Sequence, residues 1–170
     1  LILIYYWGCL LMKHVLILGA GRVARPCVQY LLSQEGIHLT VVDISKENLD
    51  QVTGGHPRAR TIITDAGHDF KRLISSTKPN LVINLLPPTF MTPIARECLE
   101  AGINLVHPNY LDAETLSLNS QVKAAGLTFI AELGLDPGID HMSAIQMITR
   151  IRQHGGQVES FRSICGALPS

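Results

Sequence analysis

The chain carries no excess charge of either sign: fourteen Lys and Arg stand against fourteen Asp and Glu, and charged residues make up 16% of its 170 positions. With no basic surface to attract nucleic acid or anionic lipid, the expected partner is a small molecule. Paired cysteines are missing too. Cys9, Cys27, Cys98 and Cys165 are scattered with no C-x-x-C pair, which argues against a zinc knuckle or a disulfide framework and for a reducing, cytoplasmic setting. The sequence shows no internal repeat and no low-complexity stretch, which sets aside solenoids and linkers. Nor is there an apolar run of the ~20 residues that a membrane-crossing helix needs, so no membrane partner is expected. Leu1 to Met12 is almost wholly apolar, but it is too short and lacks the positive start and cleavage site of a signal peptide. The expectation is that residues 1–12 are an apolar leader in which Met12 is the natural start and the rest is upstream extension, with an apolar anchor as the alternative.

What is abundant is apolar sequence, 46% of the chain, enough for one sizeable core and little more. From His14 onward it falls into short β-branched runs that alternate with longer amphipathic stretches, the pattern of a parallel sheet wrapped by helices. Strands are expected at His14 to Leu18, Leu39 to Val42, Arg60 to Ile63, Leu81 to Leu85, Asn104 to Val106 and Thr128 to Ala131. Being nearly all apolar, they are expected to be covered on both faces. Helices are expected over Ala24 to Gln34, Lys46 to Val52, His68 to Thr77, Thr92 to Ala101, Ala113 to Ala125 and His141 to His154. Gly36, Gly102 and Gly126 fall where helices stop. Val158 to Cys165 reads as a further strand.

The first strand runs straight into Gly19-Ala20-Gly21-Arg22-Val23-Ala24, a G-x-G-x-x-A turn that opens the first helix. Gly19 permits the tight turn, Gly21 lets the backbone approach a pyrophosphate, and Ala24 lets helix and strand pack closely. Phosphates then meet the N–H groups and positive dipole of the helix N-terminus, beside Arg22 and Val23. The second strand ends in Val41-Val42-Asp43, 24 positions beyond the first glycine (43 minus 19). That is close to the ~20 expected of the carboxylate that binds the adenosine ribose. Such a carboxylate accepts from the ribose hydroxyls and repels a 2′-phosphate, so NAD is expected over NADP. The alternative for Asp43 is to cap the helix that begins near Ser45. Asp65-Ala66 either brushes the adenine or forms a turn. Leu86-Pro87-Pro88 ends the fourth strand at the ligand-binding edge, or merely stops it. Together these predict an α/β, doubly wound parallel sheet of the Rossmann type over residues 13–140. Residues 141–170 are then a helix and strand leading into a second, α+β domain.

Glu132-Leu133-Gly134-Leu135-Asp136-Pro137-Gly138-Ile139-Asp140-His141 follows the last of these strands. Its polar groups are expected to open onto the crevice where a nicotinamide ring would lie. Asp136, before Pro137-Gly138, is a site residue or an ordinary turn residue. Asp140 touches substrate or caps the helix from His141, and His141 is structural or shuttles a proton. His107 is expected to be packed under the loop. Cys165, on an apolar strand, is ordinarily a small buried hydrophobe. No metal is expected, because these carboxylates and one His lack a second His at ligand spacing.

With the loop Gly134 to His141, with Leu85-Leu86-Pro87-Pro88-Thr89-Phe90, with Asn109-Tyr110 and with Ser163 to Pro169, the chain resembles saccharopine dehydrogenase of the glutamate-forming type. The resemblance runs from Lys13 to Pro169. It implies oxidation of saccharopine, a secondary amine, to glutamate and 2-aminoadipate semialdehyde in lysine metabolism, with a nicotinamide cofactor. By the same resemblance, Asp136 and Tyr110 lie at an amino-acid substrate and Cys165 close to the reacting centre, as catalytic candidates. Asn109 and Leu135 lie near the nicotinamide, with Asn109 also touching substrate, and the full-length protein is expected to be a homodimer. The sequence departs from the family at Pro108-Asn109, where small hydroxyl residues commonly precede the Tyr, and at Pro88, where many members have Tyr. It also shows no counterpart of the family's substrate-gripping Arg, so the chain by itself is expected to bind cofactor without turning over substrate. Two alternatives stay open: a polyamine enzyme similar to carboxynorspermidine dehydrogenase, and a non-catalytic NAD-binding module.

Overall fold

The computed structural model describes residues 12–164 and Gly166. Residues 1–11 of the expected leader, and Cys165, lie outside the described residues. Among the described residues, six strands form one parallel sheet: β1 (Lys13–Leu18), β2 (Ile37–Asp43), β3 (Ala59–Ile63), β4 (Leu81–Asn84), β5 (Asn104–Val106) and β6 (Phe129–Ile130). Their order is β3-β2-β1-β4-β5-β6, the doubly wound arrangement predicted from the alternation of strands and helices. Leu18 at the end of β1 lies level with Val42 on one side and Asn84 on the other. The strand order reverses between these neighbours, leaving the crevice in which this architecture binds ligands.

Alternate residues of each strand feed two core layers, one on each face of the sheet. Val15, Ile17, Val41 and Ile83 meet Val28, Leu32, Leu49 and Val52 from α1 (Ala24–Ser33) and α2 (Lys46–Thr53). Leu16, Leu18, Val82 and Leu105 meet Phe70, Leu73, Ile94 and Cys98 from α3 (Ala66–Thr77) and α4 (Met91–Ala101). Leu118 and Val122, around α5 (Ala113–Ser117) and α6 (Asn119–Ala124), close that layer. Each large aliphatic side chain buried in this way contributes roughly 1.5–3 kcal/mol.

Several expectations need correction. The outer strands are not covered on both faces: Arg60, Thr61 and Ile63 in β3 and Ile130 in β6 are exposed, because the helices pack chiefly over the four inner strands. α3 begins at Ala66 instead of His68, since Asp65 caps it by accepting from Gly67 N at 2.9 Å and His68 N at 3.3 Å. The single helix expected over 113–125 is interrupted at Leu118. There the Ser117 hydroxyl donates to Glu114 O at 2.6 Å, and Leu118 N turns to Thr115 O at 3.1 Å, a hydroxyl competing with the helical ladder. The last helix, α7 (Ile139–Gln153), begins at Ile139. Residues 158–164 form no strand, because a strand exists only through a neighbour's backbone and none of the described residues offers one.

Arg58, in the turn before β3, holds the end of α1. Its Nη1 donates to Gln34 O at 2.6 Å and to Ile37 O at 2.9 Å, and its Nη2 donates to Leu32 O. A guanidinium there satisfies helix-end carbonyls and answers the negative end of the dipole. Arg58→Ala is expected to lower stability by about 1–2 kcal/mol in urea unfolding. Arg58→Lys should recover only part, since one ammonium does not reproduce the guanidinium fork. An unchanged midpoint in Arg58→Ala would rule the staple out.

Among the described residues no helix is long and apolar enough to cross a membrane. No group of three or more His, Cys, Asp or Glu among them is placed to hold a metal ion.

Candidate functional site

At the carboxyl edge of the sheet, the glycine turn takes the shape its sequence demands. Gly19 N donates to Val42 O at 2.8 Å and the residue sits at φ +100°. A Cβ on it would lie 3.3 Å from the Leu85 backbone, so both conformation and space call for glycine. In front of Gly21 the space is open: an added Cβ would meet nothing within 4 Å, the clearance that a pyrophosphate needs. Ala24 is fully buried. α1 has no side-chain cap and no acidic residue in its first turn, so its positive end faces the turn uncompensated and suits an anion. Arg22 and Val23 stand exposed beside it. These features fit a dinucleotide.

Asp43 is tied to this turn. Its Oδ2 accepts from Ala20 N at 2.7 Å and its Oδ1 from Ser45 N at 2.8 Å. The cap of α2 is Ser45 itself, which accepts from Asn48 N at 3.2 Å. Asp65 is engaged in capping α3 and in a hydrogen bond with His68 Nδ1 at 2.8 Å. The His68 hydrogen bond, then that of Gly67 N, holds its carboxyl below the usual range. Ala66 is buried in the core.

Across the crevice the ends of β4, β5 and β6 are bound to one another. Leu86 N donates to Asn84 Oδ1 at 3.0 Å, and Leu86 O accepts from Asn109 Nδ2 at 3.4 Å. Tyr110 OH donates to Asp136 Oδ1 at 2.6 Å, so the two described catalytic candidates are brought into contact. The Asp136 loop is closed by Gly134 N to Pro137 O and Ile139 N to Gly134 O, both 2.9 Å. Asp140 sits in the first turn of α7, where its Oδ1 accepts from Gly138 N at 2.9 Å and lies 3.0 Å from His141 Nδ1. Leu135 is exposed. Two residues not assigned from sequence organise this side. Glu132, at φ +61°, donates from its N to Asn109 O at 3.1 Å and accepts from Leu111 N at 3.2 Å through Oε1. Asn84 is the other; its only local sign is an amide closing an apolar strand.

His107 is packed beneath these loops, 2% exposed, and its Nδ1 has no partner among the described residues. Burial pushes it below its ordinary value of 6.5, against the pull of the Asn109 backbone, Asp112 and Glu132. A His that resists protonation only when folded takes stability away as pH falls below the unfolded value and the unfolded chain gains protons. Urea midpoints are therefore expected to fall between about pH 6.5 and pH 5, and His107→Leu should reduce that slope. His14, lowered mainly by burial as well, should leave a residual dependence. An identical slope in His107→Leu would show that His107 titrates freely.

Residues 15–130 match the family model described as the saccharopine dehydrogenase NADP binding domain, and residues 134–170 match the saccharopine dehydrogenase C-terminal domain. The mitochondrial alpha-aminoadipic semialdehyde synthase of Bos taurus is 35% identical over 159 residues, covering 93% of this chain and 17% of that protein. The NADP(+), L-glutamate-forming saccharopine dehydrogenase of Pyricularia oryzae is 34% identical over 158 residues, covering 93% of this chain and 35% of its own length. Among solved structures, apo saccharopine dehydrogenase (L-Glu forming) from Saccharomyces cerevisiae aligns with a TM-score of 0.72 at 28% identity, covering 87% of this chain and 33% of that one. The chain thus spans about a sixth to about a third of the length of these relatives.

Proposed function

Because the chain belongs to the saccharopine dehydrogenase family, we propose that it is the cofactor-binding part of an enzyme oxidising saccharopine to L-glutamate and 2-aminoadipate semialdehyde, with NADP as cofactor. The observation that carries this reading is the 2.6 Å bond from the Tyr110 hydroxyl to Asp136. It lies across β1 and β4 from Asp43, beside the Asn109–Leu86 contact. A nicotinamide bound in the crevice supplies the acceptor for the hydride that leaves the carbon beside the substrate nitrogen. The remaining work is proton transfer. Asp136 takes a proton from the water that adds to the C=N carbon and returns one to the nitrogen as the C–N bond breaks, while the hydroxyl proton leaves to solvent as the aldehyde forms. Tyr110 holds Oδ1 through a short, charge-assisted hydrogen bond and so fixes how the carboxylate is aimed.

NADP replaces the NAD that Asp43 by itself predicts. The description of the matching domain and the names of relatives support it. In calorimetric titration of the chain, NADPH is expected to bind at least about ten-fold more tightly than NADH. The reverse order would restore the NAD reading, and binding of neither would remove the dinucleotide site. The substrate is tested by saccharopine-dependent reduction of NADP with the protein as its gene encodes it. Turnover of a carboxylated polyamine instead would favour the polyamine alternative.

A further inference from the structure

The end of β4 carries a polar side chain that the chemistry above leaves unused. Asn84 is 0% exposed and lies beside Leu18, at the point where the strand order reverses. Its Nδ2 finds no partner among the described residues. Burying an unpaired amide donor destabilises a fold, and such a departure from packing rules is expected where function constrains the sequence. The other end of the amide is occupied. Oδ1 accepts from Leu86 N at 3.0 Å, an Asx turn that sets the path of the chain at Leu86. The Leu86 carbonyl held by this turn accepts from Asn109 Nδ2 at 3.4 Å, and Asn109 O accepts from Glu132 N at 3.1 Å. A chain of three hydrogen bonds that starts at this buried side chain therefore links the ends of β4, β5 and β6. They surround the place that the far half of a dinucleotide must reach once its pyrophosphate is fixed at the glycine turn.

We propose that Asn84 is a positioning residue for the nicotinamide half of the cofactor. Without touching it, Asn84 holds the Leu86 carbonyl, and through it Asn109, in the place that receives the ring. The inference rests on the reading of the crevice as a nicotinamide-dinucleotide site and is independent of the substrate. Two variants separate this role from core packing. Asn84→Ser keeps a side-chain acceptor for Leu86 N, whereas Asn84→Leu keeps a similar volume and removes it. Each variant, with the wild-type chain, is titrated with NADPH and with 2′,5′-ADP, which lacks the nicotinamide half. The affinity for 2′,5′-ADP is expected to be the same in all three. The extra affinity for NADPH should fall about ten-fold in Asn84→Leu and less than about three-fold in Asn84→Ser. The Leu86 amide should exchange with solvent faster only in Asn84→Leu. If Asn84→Leu keeps the whole NADPH advantage, or if it weakens both ligands alike while Asn84→Ser does the same, Asn84 is an ordinary core residue and the proposal is overturned. A wild-type chain that binds NADPH no better than 2′,5′-ADP overturns it as well. A protein that passes this test yet does not oxidise saccharopine keeps the role of Asn84 and loses the substrate assignment.

Discussion

In the full-length protein, Asp136→Ala is expected to lower saccharopine turnover by about a hundred- to ten-thousand-fold, the range that one positioned proton-transfer group supplies. NADPH affinity should hardly change, because the glycine turn and Asp43 are bound to β1 and β2 and do not depend on the Asp136 loop. Tyr110→Phe removes the 2.6 Å donor and keeps the ring. It is expected to cost less, about ten- to a hundred-fold, since the carboxylate remains but is no longer aimed. Because the two side chains act as a unit, the double variant should be no worse than Asp136→Ala by more than a small factor. Steady-state kinetics of the four proteins check this. Multiplicative losses would mean that the two residues serve separate steps, and unchanged kinetics in Asp136→Ala would remove Asp136 from the mechanism.

Gly138→Ala is expected to be nearly as damaging to turnover without touching any reacting group. Gly138 sits at φ +147°, a conformation that alanine resists, and a Cβ there would lie 2.2 Å from Gly134 O, 2.6 Å from Gly134 N and 2.8 Å from Glu132 O. All three obstacles are backbone atoms, so no side chain can swing aside. The loop has to open, and Asp136 is carried away from Tyr110. The expected loss is about 2–4 kcal/mol of stability, if the loop unfolds together with the domain. If it opens locally, the melting curve is spared and turnover alone falls. Urea unfolding and kinetics on the same preparation distinguish these. A variant with wild-type stability and wild-type turnover would show that the loop is not closed in this way.

The parts of the fold legible in the sequence are those that neighbouring residues decide. Val15 to Leu18 and Leu39 to Val42 are apolar runs between turn residues, and their strands extend beyond the expected limits by at most two residues at either end. The glycine turn was legible for the same reason, since Gly19, Gly21 and Ala24 are set by local geometry. What escaped depends on residues far apart along the chain. Nothing near Arg58 says that its guanidinium reaches back to Leu32 and Gln34. Nothing near Asn84 says that its carbonyl oxygen shapes the turn on which Asn109 leans. The interruption at Leu118 was missed because Thr115, Leu118 and Val122 keep the spacing of one continuous helix face, while the competing hydroxyl of Ser117 leaves that pattern unchanged. Asp43 is a related case: its position at the end of the second strand was visible, but the bonds from Ala20 N and Ser45 N to its two oxygens were not. Tyr110 and Asp136, 26 residues apart, became a pair only when β5 and β6 were laid side by side.

The two halves of the crevice are rooted at different depths in the sheet. β1, which leads into the glycine turn, is paired along its whole length with β2 and from Val15 to Leu18 with β4. β6, from which the Asp136 loop hangs, is two residues long and outermost, held by the pairings of Phe129 and Ile130 with β5. Local opening starts where few neighbours hold the backbone, so warming or mild denaturant frays the β6 end first. A partly aged sample would go on capturing the adenosine half of its ligand after the Tyr110–Asp136 pair had come apart. Full occupancy in a binding assay is then no measure of how many molecules remain able to move a proton.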